Sequence, residues 1–174
     1  MIPTTKVDGE ILERIRGHAE KAWLNGKSHV RTSDRATKGM EDQLVGQLGE
    51  YALARYFGVE EQYFNRRLLI EEQPYLGDGG SDLPREQVDV KTSLMRGSQN
   101  PERYNLLVRP AERHDGNIYV LALVKSLVAP VHVLLVGWCT EADLPSKPAE
   151  KGIFEGAYRL PATKLRPMRR DLLV

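Results

Sequence analysis

"NIYVLALVKSLVAPVHVLLVGW", residues 117–138, is where the architecture of this chain is most plainly written. It holds two nearly continuous apolar runs, 117–124 and 131–138, rich in β-branched residues. Runs of that kind belong to central strands buried on both faces, with other layers packed above and below. Just upstream, "HDGN" (114–117) carries the Asp-Gly signal of a turn. Further back, "YNLLVR" (104–109), "QVDVKTS" (87–93) and "RLLIE" (67–71) read as shorter strands. Downstream, Thr140 followed by Asp143 has the spacing of a capping box that opens a helical turn. The tail from Tyr158 has the composition of an edge strand and a last turn.

The first third of the chain has a different period. Ile11, Leu12, Ile15, Ala19, Ala22 and Trp23 recur at helical spacing over 8–25, with Asp8 to cap the start and Gly26 to end it. Leu44, Val45, Leu48, Ala52 and Tyr56 make one apolar face over 42–57, with Gly58 as C-cap. Between these helices, 27–40 is a polar, basic loop. Helices first and strands after predict an α/β fold, a central mixed β-sheet flanked by helices. At 174 residues the chain is long enough for one domain with its own core. Its 41% hydrophobic and 28% charged residues are ordinary for a globular protein. A net charge of +1 means that any nucleic-acid surface must be a local patch. The single cysteine, Cys139, excludes an internal disulfide and a multi-cysteine zinc site. No run approaches the roughly 18 apolar residues of a membrane helix, and no secretory leader is evident, so a cytoplasmic protein without a membrane partner is expected.

Chemistry concentrates in "GDGGSDLPREQVDVKTS" (77–93). On a strand through 87–93, Asp89 and Lys91 share one face while Val88 and Val90 turn to the core. A tight turn around Arg85 would set Asp82 beside Asp89 on the neighbouring strand, with Cβ atoms about 4.5–8 Å apart. Two carboxylates that close call for a hard divalent cation with oxygen ligands, such as Mg²⁺. A cation with open positions can bind a phosphate oxygen and lower the pKa of a water. Lys91 beside it can orient that water or offset phosphate charge. Asp78 is the rival first acid, although its glycine-rich surroundings favour a turn role. Glu50 lies on the second helix, after Gly46 and Gly49, which weaken a helix but permit close approach to a sheet. The four histidines show no ligand spacing, and there is no G-x-x-x-x-G-K loop for ATP.

Glu50 in "GQLGEYALARYFG" (46–58), Asp82 in "SDL" (81–83) and Asp89-Val90-Lys91 in "VDVKTS" (88–93) together resemble the PD-(D/E)XK nuclease superfamily. "VGWCTEADL" (136–144) is similar to the strand-to-helix step after the core in some members. The segment 93–104, where a helix would follow the lysine strand, is a poor helix because of Gly97 and Pro101. The resemblance implies a single nuclease-like domain over 1–174 with a restriction-endonuclease-like core. Residues 1–40 would be an N-terminal helix and basic loop, 42–144 the catalytic core and 145–174 a C-terminal extension. It implies a Mg²⁺-dependent DNA endonuclease, with Mn²⁺ able to substitute. Asp82, Asp89, Glu50 and the Val90 carbonyl would be metal ligands, and Lys91 would position the water. Arg31, Arg35 and Lys38 in the basic loop are the expected DNA contacts, and Arg166, Arg169 and Arg170 form a second basic cluster. Cleavage of two strands would favour a homodimer. The alternatives are a non-catalytic DNA-binding or inhibitor protein on the same fold, and an exonuclease or junction resolvase.

Overall fold

A computed structural model describes residues 1–27, 39–72, 87–151 and 155–172. A short strand β1 (Thr4–Val7) leads into helix α1 (Gly9–Lys27), followed by α2 (Gly39–Phe57) and α3 (Glu60–Glu72). Strands β2 (Val88–Leu94), β3 (Asn105–Val108), β4 (Ile118–Val124), β5 (Val131–Thr140) and β6 (Tyr158–Pro161) follow, with 3-10 turns between them. The main sheet has the order β1-β5-β4-β2. β2 runs parallel to β4, and the β4–β5 and β5–β1 pairs are antiparallel, so the sheet is mixed. The helices cover one face. β3 and β6 pair as a separate antiparallel ribbon that packs on the other.

The two apolar runs form β4 and β5. In β4, Val120, Ala122 and Val124 join the core under the helices, whereas Tyr119, Leu121 and Leu123 join the core under the ribbon. A register shift against β5 separates Leu121 from Ala122. The extra residue of this bulge changes which side chains face which layer. Val131, Val133 and Leu135 face the helices before it. Trp138 faces them after it, and Cys139 turns to the ribbon. Burial pushes the Cys139 thiol up to about 12, so it stays protonated and packs as a small apolar group.

Several local expectations hold. Asp8 Oδ1 accepts a hydrogen bond from the Ile11 amide at 3.0 Å and caps α1, which continues through Gly26 to Lys27. Gly58 closes α2 with φ at +75°, a conformation that suits glycine. Asp143 Oδ2 accepts from both the amide and the hydroxyl of Thr140 at 2.7 Å, completing the cap on the 3-10 turn Glu141–Asp143. The segment after β2 forms a single 3-10 turn at Pro101–Arg103.

One expectation needs correction, and one strand is additional to those expected. "RLLIE" (67–71) is the last part of α3, not a strand. The helix is entered from Val59, whose carbonyl accepts from the Gln62 and Tyr63 amides, and is held by Tyr63 and Phe64 packing in the core. The apolar triplet merely continues it. The strand β1 was not anticipated, because Thr5 and Val7 give only two inward positions beside β5. Among the described residues, no helix is long and apolar enough to cross a membrane.

Candidate functional site

β2 is an end strand of the main sheet among the described residues, and its alternation sorts chemistry from packing. Val88 and Val90 are buried against the helices. Asp89 pairs in register with Tyr119, and Lys91 with Leu121, so both point to the ribbon side. There Lys91 Nζ lies 2.7 Å from Asp89 Oδ2 and 3.1 Å from Glu112 Oε2. The Lys91 and Asp89 side chains are 19% and 14% exposed, so the pair is largely withdrawn from water.

Glu112 is the residue that sequence reasoning missed. It ends the 3-10 turn Pro110–Glu112, and its Oε2 also accepts from the Arg109 amide at 3.0 Å. The Tyr119 hydroxyl fixes this turn. It donates to the Glu112 carbonyl at 2.9 Å and accepts from the His114 amide at 3.0 Å. β4 thus holds β2 through backbone pairing and the Glu112 turn through one hydroxyl. The available signal was Pro110 followed two residues later by an acid, a pattern that starts a turn whose carboxylate caps it.

The charges of the cluster reinforce one another. Burial pulls the Lys91 pKa down, but Asp89 and Glu112 together outweigh it, so the ammonium is held above its ordinary range. Burial likewise pushes Glu112 up. The Arg109 amide and Lys91 reverse this and hold its carboxyl below the usual range. Burial raises the Tyr119 phenol, which stays neutral and keeps its proton for the Glu112 carbonyl.

The other expected residues fall elsewhere. Glu50 sits on α2, over the opposite face of the sheet, and its carboxylate pairs with Arg67 of α3. α2 comes very close to β2 one residue earlier. A Cβ on Gly49 would lie 1.9 Å from Thr92 Oγ1, so only glycine allows this approach. A Cβ on Gly46 would meet nothing within 4 Å, so that glycine has no such role. Val90 lies between Asp89 and Lys91, its side chain buried on the helical face. Asp82, its rival Asp78, and Arg31, Arg35 and Lys38 lie outside the described residues. Among the described residues, no three of His, Cys, Asp and Glu come together in metal-binding range. The C-terminal arginines dock the tail. Arg166 pairs with Asp143 at 2.6 Å and, with Arg169, lies over the Trp138 ring, while Arg170 donates to the Tyr56 carbonyl.

Two clefts open beside the cluster. One of about 610 Å³ is lined by Lys91, Glu112 and Arg109. The second, of about 910 Å³, is lined by Arg96, Arg103 and Arg109. Ser93 and Asn105 are common to both.

Family models, curated proteins and solved structures were all compared with the chain, and none matches it. The site is therefore read from its own chemistry. It offers one ammonium fixed between two carboxylates, on an end strand, beside clefts carrying arginines.

Proposed function

We propose that the chain is a Mg²⁺-dependent DNA endonuclease of the PD-(D/E)XK type, with a restriction-endonuclease-like core and its reacting centre at Asp89 and Lys91. The observation that carries this reading is the sharing of Lys91 between Asp89 and Glu112 at the edge of a cleft. A lysine needed only to neutralise one strand aspartate has no use for a second acid brought in by a dedicated turn.

The donors of Asp89 and Glu112 are carboxylate oxygens, the type that a hard divalent cation takes. Asp89, with Asp82, would hold Mg²⁺ or Mn²⁺, which when bound polarises a phosphate oxygen and acidifies a water. Lys91 keeps its proton at neutral pH because its pKa is raised. It therefore serves as a hydrogen-bond donor, not as a base. Its ammonium can orient the attacking water or meet a phosphate oxygen as negative charge develops there. Glu112 gives Lys91 a second acceptor beside Asp89 and limits where that ammonium can point. Glu50, paired with Arg67, ties α2 to α3.

Supercoiled plasmid incubated with the protein and Mg²⁺ tests the reading. Nicked circles followed by linear molecules are expected, with none in EDTA. Degradation confined to linear DNA would favour the exonuclease alternative. DNA binding without cleavage under either metal would assign the chain to the non-catalytic alternative.

A further inference from the structure

The larger cleft has features that the hydrolytic cluster does not use. It is bounded by β2, β3 and the start of α2, and three arginines line it together with Glu41 and Asp42. Arg96 is engaged by Glu41. Arg103 and Arg109 make no ion pair among the described residues, and both are exposed. Tyr104 lies between them in sequence and lines the same cleft. It is packed in part against the ribbon-side core. Its hydroxyl reaches the Ser98 carbonyl at 2.9 Å and the Arg96 carbonyl at 3.3 Å. The turn carrying Arg103 is capped by Asn100, whose Oδ1 accepts from the Glu102 amide at 3.0 Å. The ring is thus oriented before any ligand arrives.

Exposed guanidinium groups beside an oriented aromatic ring are the parts that hold single-stranded nucleic acid. Arginines track the phosphates, and a base stacks on the ring whatever its identity. A cleft of about 910 Å³ is the size of pocket that takes a small molecule, here one or two nucleotides. A base can lie on the ring only when it is free of its partner strand, so an unpaired strand suits this cleft better than a duplex. The two clefts share Ser93, Asn105 and Arg109, so a chain lying in the larger one leads directly to Lys91 in the smaller. We infer that this groove binds a single strand of DNA, with Arg103 and Arg109 on phosphates and Tyr104 stacking a base. This rests on the nuclease reading for its purpose and narrows the substrate to DNA with an unpaired strand.

Binding is measured in EDTA, so cleavage plays no part in the result. A fluorescent oligothymidylate and a hairpin duplex of equal length are titrated across a salt series. The wild type is expected to bind the single strand more tightly. Arg103→Ala and Arg109→Ala should each flatten the slope of log affinity against log salt by roughly 0.7, the value for one phosphate on a single strand. Tyr104→Phe and Tyr104→Leu both lose the hydroxyl, but only the leucine loses the π-face. The phenylalanine variant, which loses only the hydroxyl bonds that orient the ring, should bind within about threefold of wild type, and the leucine variant about tenfold more weakly with an unchanged salt slope. Tighter binding to the duplex, or equal affinities for the phenylalanine and leucine variants, would overturn the inference. A chain that binds the strand as described yet never cuts DNA refutes the hydrolytic reading alone.

Discussion

Two largely buried ionic sites lie on the two sides of the main sheet, and they differ in kind. On the helical side, Glu50 of α2 meets Arg67 of α3, and each side chain is 15% exposed. The partners come from two packed helices, and the contact locks those helices together. On the ribbon side, Lys91 is divided between Asp89 and Glu112, and Glu112 is 35% exposed at a cleft. The first arrangement matches one acid to one base inside a packing layer. The second gathers two acids around one ammonium where a ligand can reach. Residue type alone does not separate them, since both supply a glutamate or aspartate beside a cation. What separates them is the layer each faces and the open space next to it.

The largest effect that sharpens this comparison is expected at Asp89. Asp89→Asn keeps the shape but removes the charge, and it should bring Mg²⁺-dependent plasmid cleavage to background with circular dichroism unchanged. Undiminished cleavage would place the chemistry elsewhere. Glu50→Gln should do the opposite. It should cost about 1–3 kcal/mol of stability in urea unfolding, as expected for a lost charged hydrogen bond, and leave turnover close to wild type. Loss of cleavage matching that of Asp89→Asn would put Glu50 back among the reacting groups.

Gly49→Ala couples the two regions. The added methyl must displace Thr92 or lift α2 away from β2. Destabilisation of roughly 1–3 kcal/mol is expected from such overpacking, together with reduced cleavage because β2 also carries Asp89 and Lys91. Stability at the wild-type level would mean that the helix seats on the strand less tightly than described.

The smallest effect is in the pH profile. Glu112 has its folded pKa held below the ordinary value of 4.5, so it stabilises the fold above that pH. This contribution is lost as pH falls through the depressed folded value. Glu112→Gln should therefore be less stable than wild type near neutrality, and the gap should close under acid. Lys91 has the reverse sign. Its raised pKa stabilises below 10.5 and ceases to do so as pH rises through the higher folded value. A gap between Glu112→Gln and wild type that stays constant from neutral pH into the acid range would remove Glu112 from the cluster.

Much of the fold was legible because its signals are local. The two apolar runs announce β4 and β5, and Asp8, Gly58 and the Thr140–Asp143 pair mark their element ends through short-range hydrogen bonds and backbone conformation. α3 was not legible at 67–71 because Leu68, Leu69 and Ile70 in a row imitate a strand. The deciding contacts come from Tyr63 and Phe64, whose rings pack on Tyr51 and His18 from other elements. The site divided in the same way. Strand alternation placed Asp89 and Lys91 on one face and Val88 and Val90 on the other. Glu112 was hidden because its approach to Lys91 depends on the parallel β2–β4 register and on the Tyr119 hydroxyl, both long-range. Gly49 signalled a close approach correctly, but the side of the sheet on which Glu50 would lie could not be read from one helix alone.

The most direct test of the central claim is the single-turnover rate of plasmid cleavage by Lys91→Met at saturating protein and Mg²⁺. Methionine keeps the length and apolar stem of the side chain and removes only the ammonium. If Lys91 donates to the water or the phosphate during reaction, the rate should fall by about 10²–10³, the loss typical of removing one such donor. If Lys91 serves only to neutralise Asp89 and Glu112, the variant will be less stable yet cut at the wild-type rate, and that result would contradict the account.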